Sequence, residues 1–200
     1  MSFGAISEPA VRALSSGTRA AGIWLNIGEG ELSSFHLEGS CDLLFQIGSA
    51  KYGVRDAHRA LSDDRLRAIA AHEKVRMFEI KMSQGAKPGK GSILPGAKIT
   101  QEIADIRGIA QGKDSISPNG HEDIRSVSDL LDLIAHIRDA TGKPVGMNLF
   151  VGHLTFFDDL LALVQQRGAD SGPDFITLGS ADGGTGAAPQ PLIDCVGMPL

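Results

Sequence analysis

Lys81 stands at the end of the β-forming run Val75 to Met82, and Gln84 follows three positions later, inside the segment IKMSQGAKPGKG with glycines at 85, 89 and 91. An ammonium, an amide and a glycine-rich loop at the end of a strand supply donors for an anion or for the carbonyl edge of an electron-rich heterocycle. They fit equally an arrangement in which Lys81 pairs with a neighbouring carboxylate for structure alone. Asp182-Gly183-Gly184-Thr185-Gly186 exposes backbone N–H groups of the kind that form an anion nest. It lacks the Lys-Ser/Thr ending of a nucleotide P-loop, and a tight turn without a ligand has the same composition. Glu29, between Gly28 and Gly30, can bind an amine or steer a cation, or be a solvated turn residue. Arg107 falls on a helical pattern, where arginines are usually solvent-facing. His121, in SPNGHED, is a candidate proton donor, although a capping or surface role is commoner. The histidines show no metal-ligand spacing, and neither an H-E-x-x-H motif nor a serine nucleophile elbow is present, so no metal site is expected.

The elements that must position these residues follow a strand–loop–helix rhythm. Ser7 and Pro9 open a helix expected to run to about Ala21. Short strands are expected at Ile23 to Ile27 and Leu43 to Ile47, and a polar surface helix within 55–73. The clearest strand is Val75 to Met82. Strict alternation puts Val75, Met77, Glu79 and Lys81 on one face and Arg76, Phe78, Ile80 and Met82 on the other. Thr100 caps a helix carrying Ile103, Ile106 and Ala110, and Ser115 to Ser117 forms a short strand. Ser126 and Asp129 make a capping-box variant ahead of Leu130, Leu131, Ile134 and Ile137, and Gly142 stops that helix. Val145 to Val151 is a strand. Thr155 caps a helix with Phe157, Leu160, Leu161 and Val164 on one side, and Asp174 to Leu178 is the last strand.

The repeated alternation predicts a parallel sheet with helical crossovers, either a (β/α)8 barrel or a doubly wound open sheet. The charges Glu79 and Lys81 on one strand face favour the barrel, whose mouth accepts inward-pointing charge. About six of eight βα units are legible in residues 1–200, an incomplete TIM barrel, because a whole one needs about 250 residues. Bulk properties agree with a globular domain: 42% hydrophobic and 22% charged residues with a net charge of −5. No basic stripe suggests nucleic acid, no apolar run reaches the roughly 18 residues of a membrane span, and the N-terminus lacks a signal-peptide pattern. A cytoplasmic location is therefore expected. Cys41 and Cys195 belong to no C-x-x-C pair.

Six segments in this order, MSFGAIS, IGEGE, QIGSAKYGV, IKMSQGAKPGKG-x-x-LPG, SPNGHEDI and DGGTGAAP, resemble the FMN-binding domain of glutamate synthases, in particular the stand-alone FMN-binding glutamate synthase family proteins. The resemblance covers nearly the whole chain. It implies a flavin-bearing barrel in which reduced FMN delivers a hydride to the imine formed from 2-oxoglutarate and ammonia, giving L-glutamate. It further implies that Lys81 and Gln84 belong to the flavin and 2-oxoglutarate site, that Glu29 is catalytic, and that Arg107 holds a substrate carboxylate. Ser2 and Gly4 would lie along the flavin. Asn148, Asp182, Gly183 and Gly184 complete the cofactor-binding expectation. The family often carries a lysine at the position of Asn148, so here an amide replaces a positive charge.

The resemblance implies an electron donor and a nitrogen source, either ammonia or glutamine-derived nitrogen from a glutaminase partner, without naming them. It also places a phosphate-binding segment beyond residue 200, so an isolated barrel lacking two strands is expected to hold FMN weakly and to aggregate. Two other classes remain open on the residues alone. One is a non-redox barrel binding a phosphorylated metabolite, with Lys81 as a phosphate or Schiff-base lysine. The other is a non-catalytic remnant, motivated by Asn148.

Overall fold

The computed structural model of the chain describes residues 1–82, 91–179, 189–192 and 198. The first helix, α1 (Glu8–Ala21), has Pro9 in its first turn, and Gly22 at φ 66° closes it by returning its N–H to Arg19 and Thr18. Ser7 occupies the N-cap position, but its side chain makes no capping bond. Strand β1 (Trp24–Asn26) and the short helix α2 (Ser34–Glu38) follow; sequence periodicity gave no sign of α2. Its entry is held by a local pair, the Ser33 side chain and the His36 ring, with His36 in the position usually filled by Glu or Gln. Next come β2 (Asp42–Ile47), α3 (Asp63–Ala70) and β3 (Val75–Lys81). The polar helix expected within 55–73 begins only at Asp63. The Asp56 carboxylate accepts the N–H groups of His58 and Ala60, which commits 56–60 to a turn, and Ser62 then caps α3.

The second half holds β4 (Ile93–Leu94), α4 (Gln101–Arg107), β5 (Ser115–Ile116), α5 (Val127–Thr141), β6 (Val145–Phe150), α6 (Thr155–Arg167) and β7 (Ile176–Gly179). Thr100 and Ser126 cap α4 and α5 through their hydroxyls, as their positions predict. The Asp129 carboxylate accepts the N–H of Arg125, one residue ahead of the cap, and also draws on the backbone of Ser126. Thr155 does not cap α6. It is the first helical residue, and its hydroxyl engages the His153 ring. Leu161 is 58% exposed, outside the buried stripe that contains Leu160.

Five strands form one parallel sheet in the order β1-β2-β3-β6-β7. The order follows the chain without reversing, so the sheet has no topological switch point of the doubly wound kind. It curls into a half-barrel with six helices among the described residues, an incomplete (β/α)8 architecture. The expected strand at Ser115 lies outside this sheet; β5 pairs antiparallel with β4 in a separate ribbon within the long β3-to-α5 connection.

The β2–β3 register shifts between Leu43 and Leu44: Leu43 pairs with Val75, but Leu44 pairs with Met77. Arg76 is the extra residue of a bulge, and it alters the expected faces of β3. Val75 joins Phe78 and Ile80 in the core against the helices, leaving Met77, Glu79 and Lys81 facing the interior. That core packs the outer face of the sheet, including Leu43, Phe45, Phe78, Ile80 and Val145, against Leu66 of α3 and Leu130, Leu131, Ile134 and Ile137 of α5. A smaller cluster of Phe3, Val11, Phe35, Ile99, Ile103 and Ala104 joins the N-terminal segment to α4. Among the described residues no helix is long and apolar enough to cross a membrane.

Candidate active site

The concave face of the half-barrel is polar where the core face is apolar. Glu79, 0% exposed, lies at its centre. One carboxylate oxygen accepts from the Asn26 amide of β1 at 2.8 Å and the Gln46 amide of β2 at 2.6 Å; the other accepts from the Thr177 hydroxyl of β7 at 2.5 Å. A side chain of the middle strand can touch both β1 and β7, the two ends of the sheet, only because the sheet curls. Gly146, opposite Glu79 in β6, leaves room for the Phe175 ring, which would lie 2.5 Å from a Cβ there.

Lys81, one layer further along the same face, is in register with Asn148 of β6. Its Nζ lies 2.8 Å from Oε2 of Glu29, and both side chains are partly buried. The sequence leaves Lys81 between a ligand role and a structural pairing with a carboxylate; in the structure it pairs with the carboxylate of Glu29. Glu29 rides on the turn after β1. Gly28 adopts φ +70° there, and its N–H donates to Oδ1 of Asn26 at 2.8 Å. Ser92 adds a hydroxyl to Oε1 of Glu29 at 3.3 Å. Gly48, at the end of β2, admits this side chain: a Cβ there would sit 2.8 Å from Cβ of Glu29.

The N-terminal segment covers the turn. A Cβ on Gly30 would fall 2.5 Å from Cβ of Ser2 and 2.7 Å from Nη2 of Arg107. Gly4, at φ +92°, approaches the same guanidinium. Ser2, Gly4, Glu29 and Arg107, separate in sequence, are thus collected at one rim. Arg107 is not the solvent-facing helix arginine that its pattern suggested: it is 8% exposed. Its Nη2 donates to the carbonyl of Phe3 at 2.9 Å, its guanidinium lies 5.4 Å from the centre of the Tyr52 ring, and its buried Nε has no hydrogen-bond partner among the described residues. Burial lowers the affinity of this guanidinium for its proton, while Tyr52, Glu29 and Glu31 act in the opposite sense.

His121 is also buried, at 7% exposure, which corrects the expectation of a capping or surface residue. Its Nε2 lies 2.9 Å from the carbonyl oxygen of Lys81, so Nε2 carries the proton and donates. Nδ1 is left buried without a hydrogen-bond partner among the described residues. Burial lowers the pKa of the ring, which favours the neutral imidazole. Beside it, Lys51, itself buried, pairs with Asp123.

Gln84, Asp182, Gly183 and Gly184 lie outside the described residues. Residue reading missed three participants. Glu79 was noted only as an inward charge, and its role as a hub has no local signal. Tyr52 and Glu31 sit inside the quoted segments QIGSAKYGV and IGEGE, but nothing in their spacing announces that they face Arg107. The residues present fit a flat ring bearing carbonyl acceptors. Lys81 and the Asn148 amide lie in register on adjacent strands, and Arg107 keeps a buried Nε donor without a hydrogen-bond partner among the described residues.

Fold and site together define an α/β half-barrel with a charged, donor-rich rim at the strand ends. Residues 1–200 match the family model described as the conserved region in glutamate synthase, and the chain belongs to the glutamate synthase family. It is 40% identical over its full length to the glutamate synthase large subunit-like protein YerD of Bacillus subtilis, covering 38% of that protein. It is 38% identical to the archaeal-type glutamate synthase [NADPH] of Thermotoga maritima and 33% identical to the archaeal glutamate synthase [NADPH] of Methanocaldococcus jannaschii, covering all of this chain and 36% of each relative. The chain therefore spans little more than a third of the length of these relatives.

Proposed function

We propose that residues 1–200 form part of the FMN-binding barrel of an oxidoreductase that makes L-glutamate by reductive amination of 2-oxoglutarate. The observation that carries this reading is the Lys81–Glu29 pair at 2.8 Å on the rim of a polar concave face, beside an Arg107 whose Nε is unpartnered among the described residues. Lys81 and Asn148 would hold the carbonyl edge of the flavin, with Ser2 and Gly4 along the ring; Asp182, Gly183 and Gly184 are the further contributors the family resemblance implies. FMN, when bound, supplies the hydride chemistry that no side chain can. Arg107 offers a charge-assisted donor to a substrate carboxylate, and its burial strengthens that contact. Lys81 would orient the substrate, and Gln84 is a further contributor that the family resemblance implies. Glu29 holds the ammonium of Lys81 in place and provides an oxygen that can accept or return a proton at the rim. Asn148, neutral where the family often has lysine, hydrogen-bonds without adding charge.

Nitrogen arrives in this reading as ammonia or from a glutaminase partner, and electrons come from a separate donor. The word NADPH in the names of the Thermotoga and Methanocaldococcus relatives supports a nicotinamide as their source. The reaction belongs in the cytoplasm. The test is direct. The intact protein is purified and its visible spectrum examined for oxidised flavin; 2-oxoglutarate and ammonium are then supplied under reducing conditions and L-glutamate is assayed. FMN-dependent glutamate formation is expected. Tight binding of a phosphorylated metabolite with no flavin would instead establish the non-redox barrel.

A further inference from the structure

We infer that Glu79 is a positioning residue for the rim, setting the alignment of Glu29 on Lys81 through the side chain of Asn26. The inference rests on the reading of Lys81 and Glu29 as the working pair. Glu79 is fully buried, and the groups bonded to its carboxylate are all neutral: two amides and a hydroxyl. A carboxylate accepts only, so the face of Asn26 turned toward it must be Nδ2. Oδ1 then points the other way, where it accepts the N–H of Gly28 at 2.8 Å. Gly28 precedes Glu29, sits at φ +70°, and is packed so closely that a Cβ would lie 3.0 Å from the backbone nitrogen of Ser2. The orientation of one partly buried amide therefore decides whether this tight turn is pinned, and the turn decides where the carboxylate of Glu29 stands. Glu79 also lies two residues before Lys81 on the same strand face. Both members of the rim pair are thus referenced to one buried group, Lys81 through the strand and Glu29 through Asn26. Links to Gln46 and Thr177 hold that group from β2 and β7, so it cannot follow the turn if the turn moves.

A merely structural role would weaken the sheet as a whole without singling out Gly28. The experiment compares Glu79→Gln, Glu79→Ala and Asn26→Ala in the intact protein. The readout is the hydrogen-exchange rate of the Gly28 amide divided by that of the Ile80 amide in β3, taken together with each variant's urea-unfolding free energy so that a change in global opening is separated from a local one. Glutamine can still accept from both amides and donate to Thr177, so Glu79→Gln should leave the ratio near that of the wild type. Glu79→Ala and Asn26→Ala should each raise it about tenfold, the factor corresponding to one lost hydrogen bond. FMN titration by fluorescence quenching should follow the same order. If the wild type binds no FMN, the functional reading fails, while the exchange ratios still decide this inference. If Glu79→Ala does not fold, Asn26→Ala reads the same ratio on a chain that keeps the carboxylate. An unchanged ratio in Asn26→Ala, or in a folded Glu79→Ala, overturns the inference, as does a rise in Glu79→Gln as large as in the alanine variants.

Discussion

Replacing Glu31 with glutamine should have an effect on stability that changes sign between pH 4 and pH 8, at about pH 5. Glu31 adopts φ 80°, and its side chain lies over Gly53, where a Cβ would fall 2.5 Å from Cγ of Glu31. Its Oε2 is buried without a hydrogen-bond partner among the described residues. Burial raises the carboxyl from 4.5 to about 7, against the pull of Arg65, Arg107 and Arg55. The folded state therefore holds the proton more tightly than the unfolded chain does. This group's contribution is most favourable below pH 4.5 and is lost as pH rises toward 7. The whole interval corresponds to a ceiling of about 3 kcal/mol. Glutamine does not titrate, but it places an unpartnered amide where Oε2 lies, at a cost of about 1 kcal/mol. At pH 8 Glu31→Gln should thus be more stable than the wild type by about 2 kcal/mol, and at pH 4 less stable by about 1 kcal/mol. Urea unfolding of both proteins at intervals between these limits measures the difference, and taking it between variants removes the contribution of every other titrating group. A difference that stays constant with pH would refute the reasoning, because it would mean that Glu31 is as well solvated folded as unfolded.

Three further outcomes follow from the geometry. Gly30→Ala puts a methyl into Ser2 and Arg107; the guanidinium can swing aside but Cβ of Ser2 cannot, so urea unfolding should show a loss of about 1–3 kcal/mol, and the hold of Arg107 on Phe3 should loosen. Lys81→Met leaves Glu29 without its ammonium on a partly buried rim, and FMN affinity, read by fluorescence titration, should drop at least about tenfold, with the fold retained by circular dichroism. Ile134→Ala opens a cavity between α5 and the sheet, where Ile134 is fully buried, and should cost about 2–5 kcal/mol in the same urea assay without altering the rim.

Much of the scaffold was legible because it is encoded locally. The caps at Thr100 and Ser126, the stop at Gly142 and the apolar stripe of α5 each depend on residues within a few positions of one another. The strand at 75–82 was legible too, but not its faces. Alternation assumes an unbroken pleat, and the bulge at Arg76 moved Val75 to the opposite side from Glu79 and Lys81. The strand at Ser115 was found, but its partner was not, since a two-residue strand carries no mark of the sheet it will join. At the site, Lys81, Glu29 and Arg107 were named from motifs, yet the burial of Arg107 contradicted what a helix arginine ordinarily implies.

The linear order of residues was enough to establish a parallel α/β sheet with helical crossovers, the glycine-bearing turns after its strands, and the family to which those segments belong. Periodicity and turn chemistry act over a few residues, and motifs survive as strings. Only the folded chain decided which of two open architectures forms, which carboxylate meets Lys81, and that Glu79 ties the sheet together from inside. Those outcomes rest on contacts such as Glu79 with Thr177 and Arg107 with Phe3, 98 and 104 positions apart, which exist only once the sheet has curled and the N-terminal segment has packed over α4.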